Sequence, residues 1–166
     1  MAHGVVWQVN RAETECDGMS QLYFAFGSNM SRSTLRDRGV DLNPAGTALL
    51  RDHRLAFTLP SKRWAGRAAD ILPAPGAGVW GVLWDMAEPD ALDPFELRYN
   101  RCELDVLQYQ TGRAGLTQRA FTYKVKPEHR ATDEAPPSHE YLRRLSEGAT
   151  EAGLPTCHTD FLRSCG

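Results

Sequence analysis

Three consecutive residues, Gly27-Ser28-Asn29, carry the most legible chemistry in this chain. They follow Tyr23-Phe24-Ala25-Phe26, an aromatic and apolar run that reads as a buried β-strand. Where such a strand breaks at small residues that tolerate left-handed backbone, successive N–H groups turn toward one point. A turn of that kind can hold a carboxylate or a developing oxyanion without using a charged side chain. On residue types alone the competing reading is an ordinary strand-ending turn, with Tyr23 and Phe24 in the core.

Other constellations offer less. Cys157 and His158 are adjacent, but neighbours on a strand point apart and do not form a dyad. His53, His129 and His139 lack the spacing of metal ligands. Gly76-Ala77-Gly78 is too short for a phosphate loop and precedes a strand rather than a helix. Trp80 and Trp84, four residues apart in a strand, are expected to fill the core or line a pocket. The four cysteines show no C-x-x-C spacing and are read as free thiols.

The elements that must position the turn follow from patterning. Ser31 to Arg38 reads as a short helix, capped by Ser31 or Ser33 and stopped at Gly39. Ala45–Leu50 and Arg54–Leu59 read as strands with a bend at Asp52-His53, and Pro60–Arg67 as a loop. Ala68–Leu72 is a short strand ending before Pro73-Ala74-Pro75-Gly76, and Gly78–Met86 a strongly apolar one. Pro89 opens a helical turn through Leu97. Alternation marks Arg101–Tyr109 and Gln118–Lys126 as strands, joined by a hairpin-like loop over Thr111–Gly115. After a polar loop, Ser138 caps a helix with Tyr141, Leu142, Leu145 and Ala149 on one stripe, ending at Gly153-Leu154-Pro155. Many strands and few helices give an α+β domain over residues 20–166, with residues 1–19 as an N-terminal extension.

Bulk properties narrow the classes further. At 166 residues the chain has the length of one domain with one good core. A net charge of −2 provides no broad basic field for nucleic acid or anionic membrane. Arginine supplies 16 of the 19 basic residues, spread along the sequence rather than clustered. No apolar run approaches a membrane span, and no secretory signal is visible, so a cytoplasmic location is expected.

The run Tyr23-Phe24-Ala25-Phe26-Gly27-Ser28-Asn29-Met30 resembles the signature that opens the γ-glutamylcyclotransferase-like family. The likeness continues in order through Asp52–Phe57, Trp64–Ile71, Val79–Trp84 and Leu92-Asp93-Pro94-Phe95-Glu96, then Pro136–Ser138 and Gly153–Pro155. The resemblance implies a small mixed β-barrel with peripheral helices. It also implies a cofactor-free, metal-free reaction on a small γ-glutamyl molecule. In that reaction the α-amine attacks its own γ-carbonyl and releases 5-oxoproline with a free amine or amino acid. By position in the motif Glu96 is the general acid/base, and Leu92, Phe95 and Leu97 are expected to give it an apolar surround that raises its pKa.

By the same resemblance Gly27 and Ser28 supply backbone donors to the glutamyl end. Phe26, Ser28 Oγ and Asn29 stand beside them, and Tyr99 orients the substrate. Asp93 is read as a structural brace. Two departures bear on the substrate: Phe26 replaces a tyrosine common before Gly-Ser-Asn, and Leu97 replaces a glycine that frequently follows the glutamate. Both also favour the rival reading, a non-catalytic binding module that retains the fold. Oligomeric state stays open between monomer and homodimer.

Overall fold

The computed structural model describes residues 20–40, 42–110 and 113–166. The extension expected over residues 1–19 lies outside the described residues. Five strands close into a barrel in the order β1-β3-β2-β4-β5: β1 (Gln21–Ala25), β2 (Asn43–Ser61), β3 (Gly66–Met86), β4 (Tyr99–Gln110) and β5 (Arg113–Val125). All neighbours are antiparallel except β5 and β1, which close the barrel in parallel through Tyr23 and Phe121. This is the mixed barrel that the resemblance implied. Three short helices lie outside it: α1 (Arg32–Asp37), α2 (His139–Glu151) and α3 (Thr156–Ser164). Among the described residues no helix is long and apolar enough to cross a membrane.

Strand β1 is the hub. It lies between β3 and β5, and Tyr23, Phe24, Ala25 and Phe26 are all buried, which explains its unbroken apolar run. Helix α2 begins at Ser138, whose Oγ accepts from the Tyr141 N–H at 3.2 Å, and it buries Tyr141, Leu142, Leu145 and Ala149 as the stripe predicted. Asp70 is wholly buried and fully satisfied. It accepts from Thr58 Oγ1, from the Ile71 and Val125 N–H groups, and from Arg130 Nε at 2.8 Å, tying β2, β3 and β5 together.

Several predicted elements differ in form. The two strands on either side of Asp52-His53 are one, β2, and the bend is a bulge with Asp52 at φ 57 whose Oδ1 accepts from the Gly76 N–H. Ala68–Leu72 and Gly78–Met86 are likewise one strand, β3. Its pairing with β2 skips from Pro73 to Gly78, so Pro75 sits where no ladder N–H is needed. The helical turn expected from Pro89 through Leu97 is a 3₁₀ turn that ends at Phe95, with Pro94 inside it. Cys157 and His158 lie on helix α3, not on a strand; the helix buries His158 and exposes Cys157.

Candidate active site

The turn after β1 is a single 3₁₀ turn, Ser28–Met30, held by the Met30 N–H on the Gly27 oxygen and the Trp84 indole N–H on the Asn29 oxygen. None of its residues has left-handed backbone, contrary to the reason for which these types were singled out. Gly27 relieves crowding instead. A Cβ there would lie 3.2 Å from the Tyr141 hydroxyl and 3.5 Å from Ala69 Cβ.

A second glycine seats the turn from outside. At Gly148 on α2 a Cβ would meet the Ser31 nitrogen at 2.8 Å and the Met30 carbonyl carbon at 2.9 Å, both backbone atoms that cannot swing away. Gly148→Ala is therefore expected to cost about 1–3 kcal/mol through overpacking and to displace the turn. Chemical denaturation checks this: an unchanged midpoint would show that α2 does not clamp the turn.

Two cavities meet at Glu96. The inner one is small, about 40 Å³, and is walled by Phe26, Gly27, Ser28 and Asn29 of the turn and by Tyr23, Tyr99, Tyr123 and Tyr141. The outer one, about 310 Å³, opens between Ser61, Arg63 and Trp64 on one side and Phe95, Leu97 and Arg98 on the other. Ser28, Glu96, Tyr99 and Tyr141 border both. All six residues singled out in the sequence (Phe26, Gly27, Ser28, Asn29, Glu96 and Tyr99) thus line one pocket.

The surroundings of Glu96 differ from the expectation. Leu92 is buried, but Phe95 is 45% exposed and Leu97 72% exposed, so they do not enclose the carboxylate. Leu97 borders the outer cavity and leaves the inner one unobstructed. The Glu96 side chain is nonetheless only 9% exposed, its Oε1 accepting from Arg38 Nη1 at 2.6 Å and from Asn29 Nδ2 at 3.1 Å. Burial pushes its carboxyl above the usual range, and Arg38, Asn29 and Arg63 partly oppose that rise. Arg38 was not singled out in the sequence, being one of 16 arginines and 58 positions from its partner.

The remaining polar atoms define a hydrogen-bonding surface. Asn29 Nδ2 also donates to the Tyr23 hydroxyl at 2.9 Å, while Asn29 Oδ1 is buried without a protein partner. Tyr23, expected in the core, therefore presents its hydroxyl to the pocket. The Tyr141 oxygen accepts from the Ala69 N–H at 3.0 Å. Tyr99 donates to the Ala69 oxygen at 3.2 Å. Burial pushes the phenol pKa values of Tyr23, Tyr99 and Tyr141 upward, so all three are protonated at neutral pH. Tyr123 donates to Asp93 Oδ1, which braces the segment leading to Glu96 as the sequence predicted.

Comparison with known proteins places this arrangement. Residues 78–162 match the AIG2-like family. The gamma-glutamylcyclotransferase of Bos taurus is 32% identical over 154 residues, which cover 84% of this chain and 75% of the relative. The Homo sapiens gamma-glutamylcyclotransferase is 29% identical over 163 residues, covering 89% and 80%. A solved gamma-glutamyl cyclotransferase structure superposes with a TM-score of 0.79 at 29% identity, covering 89% of this chain and 88% of its own.

Proposed function

The chain belongs to the γ-glutamylcyclotransferase family and carries that activity, and we propose that Glu96 serves it as the one general acid/base while the Gly27–Asn29 turn and its phenols hold the glutamyl head. What supports the assignment is the position of one buried carboxylate, at the junction of the two cavities and in the same pocket as the turn.

The reaction asks little of the protein. The nucleophile arrives within the substrate, and closing a five-membered ring is intramolecular, with effective molarities of about 10⁵–10⁸ M for well-oriented groups. Deprotonating an α-ammonium of pKa roughly 8 at neutral pH costs only about 1.4 kcal/mol. Glu96 takes that proton, then returns one to the departing nitrogen as the γ-carbonyl intermediate collapses. Asn29 Oδ1, the buried acceptor without a partner, is placed to receive a second ammonium N–H and turn the lone pair toward the carbonyl. Tyr141 adds a donor beside the turn: the Ala69 N–H donates to its oxygen, leaving its own proton for a substrate carboxylate or oxyanion.

The substrate is a small γ-glutamyl molecule, met in the cytoplasm, without nucleic acid or membrane as partner. Residues 20–166 form the catalytic domain on this reading, and residues 1–19 an extension to it. Incubation with a panel of γ-glutamyl amino acids and γ-glutamylamines, read out as 5-oxoproline, tests the function. Release from at least one member is expected. Binding without product from any member would favour the non-catalytic module instead.

A further inference from the structure

Two of the pocket phenols are seated on one residue of β3. The Ala69 N–H donates to the Tyr141 oxygen at 3.0 Å, and the Ala69 oxygen accepts from the Tyr99 hydroxyl at 3.2 Å. The ladder leaves these groups free to do so. Strand β1 stops at Ala25, opposite Val82, so among the described residues β3 pairs over 66–72 with β2 alone. Phenols stand along that margin where a strand would otherwise pair. The next residue, Asp70, carries a fully buried carboxylate that reaches the elements behind both phenols. Its Oδ1 accepts from the Val125 N–H at 3.1 Å, and Val125 stands opposite Tyr99 in the β4–β5 ladder. Arg130 donates from Nε to Asp70 Oδ2 at 2.8 Å and from Nη2 to the Val125 oxygen at 3.2 Å. Both backbone groups of Val125 are thus fastened by one ion pair. Thr58, the extra residue of a bulge in β2, completes the set by donating to Oδ2 at 2.9 Å.

One carboxylate therefore fixes both the strand opposite the Tyr99 backbone and the peptide that the Tyr99 hydroxyl reaches. Burying such a pair costs desolvation that apolar side chains of the same volume would avoid, so stability does not by itself account for it. Placement does, because a shift of about 1 Å at a positioned group costs about 10²-fold in rate. We propose that Asp70 is a positioning residue for the cyclotransferase reaction, acting through Ala69 and Val125 to set where the Tyr99 and Tyr141 hydroxyls stand in the inner pocket. The proposal rests on the cyclotransferase reading above. Asp70 itself meets no substrate: it borders neither cavity at Glu96, and four donors already occupy its carboxylate.

Asp70→Asn tests this. It keeps the volume and one acceptor for the Ile71 and Val125 N–H groups, but turns an amide N–H toward Arg130, where only an acceptor fits. The variant should lose about 10- to 100-fold in kcat/KM for 5-oxoproline release. In a background carrying Tyr99→Phe and Tyr141→Phe the same change should cost almost nothing, since no hydroxyl is left to position. Carbon-13 at the tyrosine Cζ gives a second readout. The Tyr99 and Tyr141 signals, assigned by those Phe variants, should shift in Asp70→Asn while that of Tyr109, packed on Trp80, stays in place. If Asp70→Asn does not fold, Thr58→Val, which removes one donor to Oδ2 and keeps the shape, should show the same coupled loss and shifts in smaller measure. Unchanged turnover, a loss that persists in full without the two hydroxyls, or unmoved Tyr99 and Tyr141 signals in a folded variant would overturn the proposal. Absence of 5-oxoproline from the unaltered chain would instead defeat the cyclotransferase reading, and the tyrosine signals would then decide the positioning on their own.

Discussion

Glu96→Gln is expected to lower kcat for 5-oxoproline release by about 10²–10⁴-fold, the usual worth of a positioned general acid/base. The amide keeps an acceptor for Asn29 Nδ2 and nearly the same volume, so the inner pocket retains its shape and its affinity for substrate. The charge is lost, however, and Arg38, which cannot deprotonate, is left largely buried without its counter-ion. The variant should therefore fold with a lower denaturation midpoint. Circular dichroism and calorimetric binding separate this from unfolding. Near-normal turnover in a folded variant would remove Glu96 from the role, and loss of turnover together with loss of binding would point to a structural one.

Arg38→Met is expected to act on the same carboxylate from the other side. The Arg38–Glu96 pair is 2.6 Å long with both side chains 9% exposed, so removing one partner strands a buried charge at a cost of about 3–5 kcal/mol. Arg38 is the leading influence holding the Glu96 carboxyl down against its burial. Without it the folded-state pKa rises further above the unfolded one. A raised carboxyl contributes stability in its protonated form, present at low pH and lost as pH rises through the folded pKa. The variant should thus be least stable relative to the unaltered chain at neutral and alkaline pH, and recover on mild acidification. The base form of Glu96 also becomes scarcer at neutral pH, so the acid limb of the kcat/KM profile moves to higher pH. Denaturation and rate profiles that fall uniformly across pH would show that Arg38 only packs against Phe95, which its guanidinium also covers at 5.1 Å.

What the sequence discloses here is what local pattern encodes. The β1 run and the α2 stripe are visible because each buries a continuous or periodic set of side chains close in the chain. The turn is legible from its residue types, whereas Glu96 stands out only through the resemblance of motifs, since a glutamate beside Leu92 and Phe95 has no unique signature. Strand β3 was divided because Pro73 and Pro75 read as breakers, and only the skipped register shows that β2 asks nothing of them. Helix α3 has only a weak signature, Pro155 before it and His158 and Leu162 four apart, and the Cys157-His158 pair by itself reads as strand. Arg38 and the site role of Tyr141 are hidden for a different reason. Their partners lie on other elements, and such cross-chain pairings follow from barrel closure rather than from spacing.

In the role proposed for it, Glu96 is a buried carboxyl that titrates above the ordinary range and sets the pH dependence of turnover. Carbon-13 labelling of glutamate side chains allows the Glu96 carboxyl, assigned by its loss in Glu96→Gln, to be titrated by NMR in the unaltered chain. The expected result is a midpoint above that of an exposed glutamate, coincident with the acid limb of kcat/KM for 5-oxoproline release. A Glu96 that titrates like a solvated carboxylate, or an acid limb set at a different pH from its midpoint, would contradict the assignment.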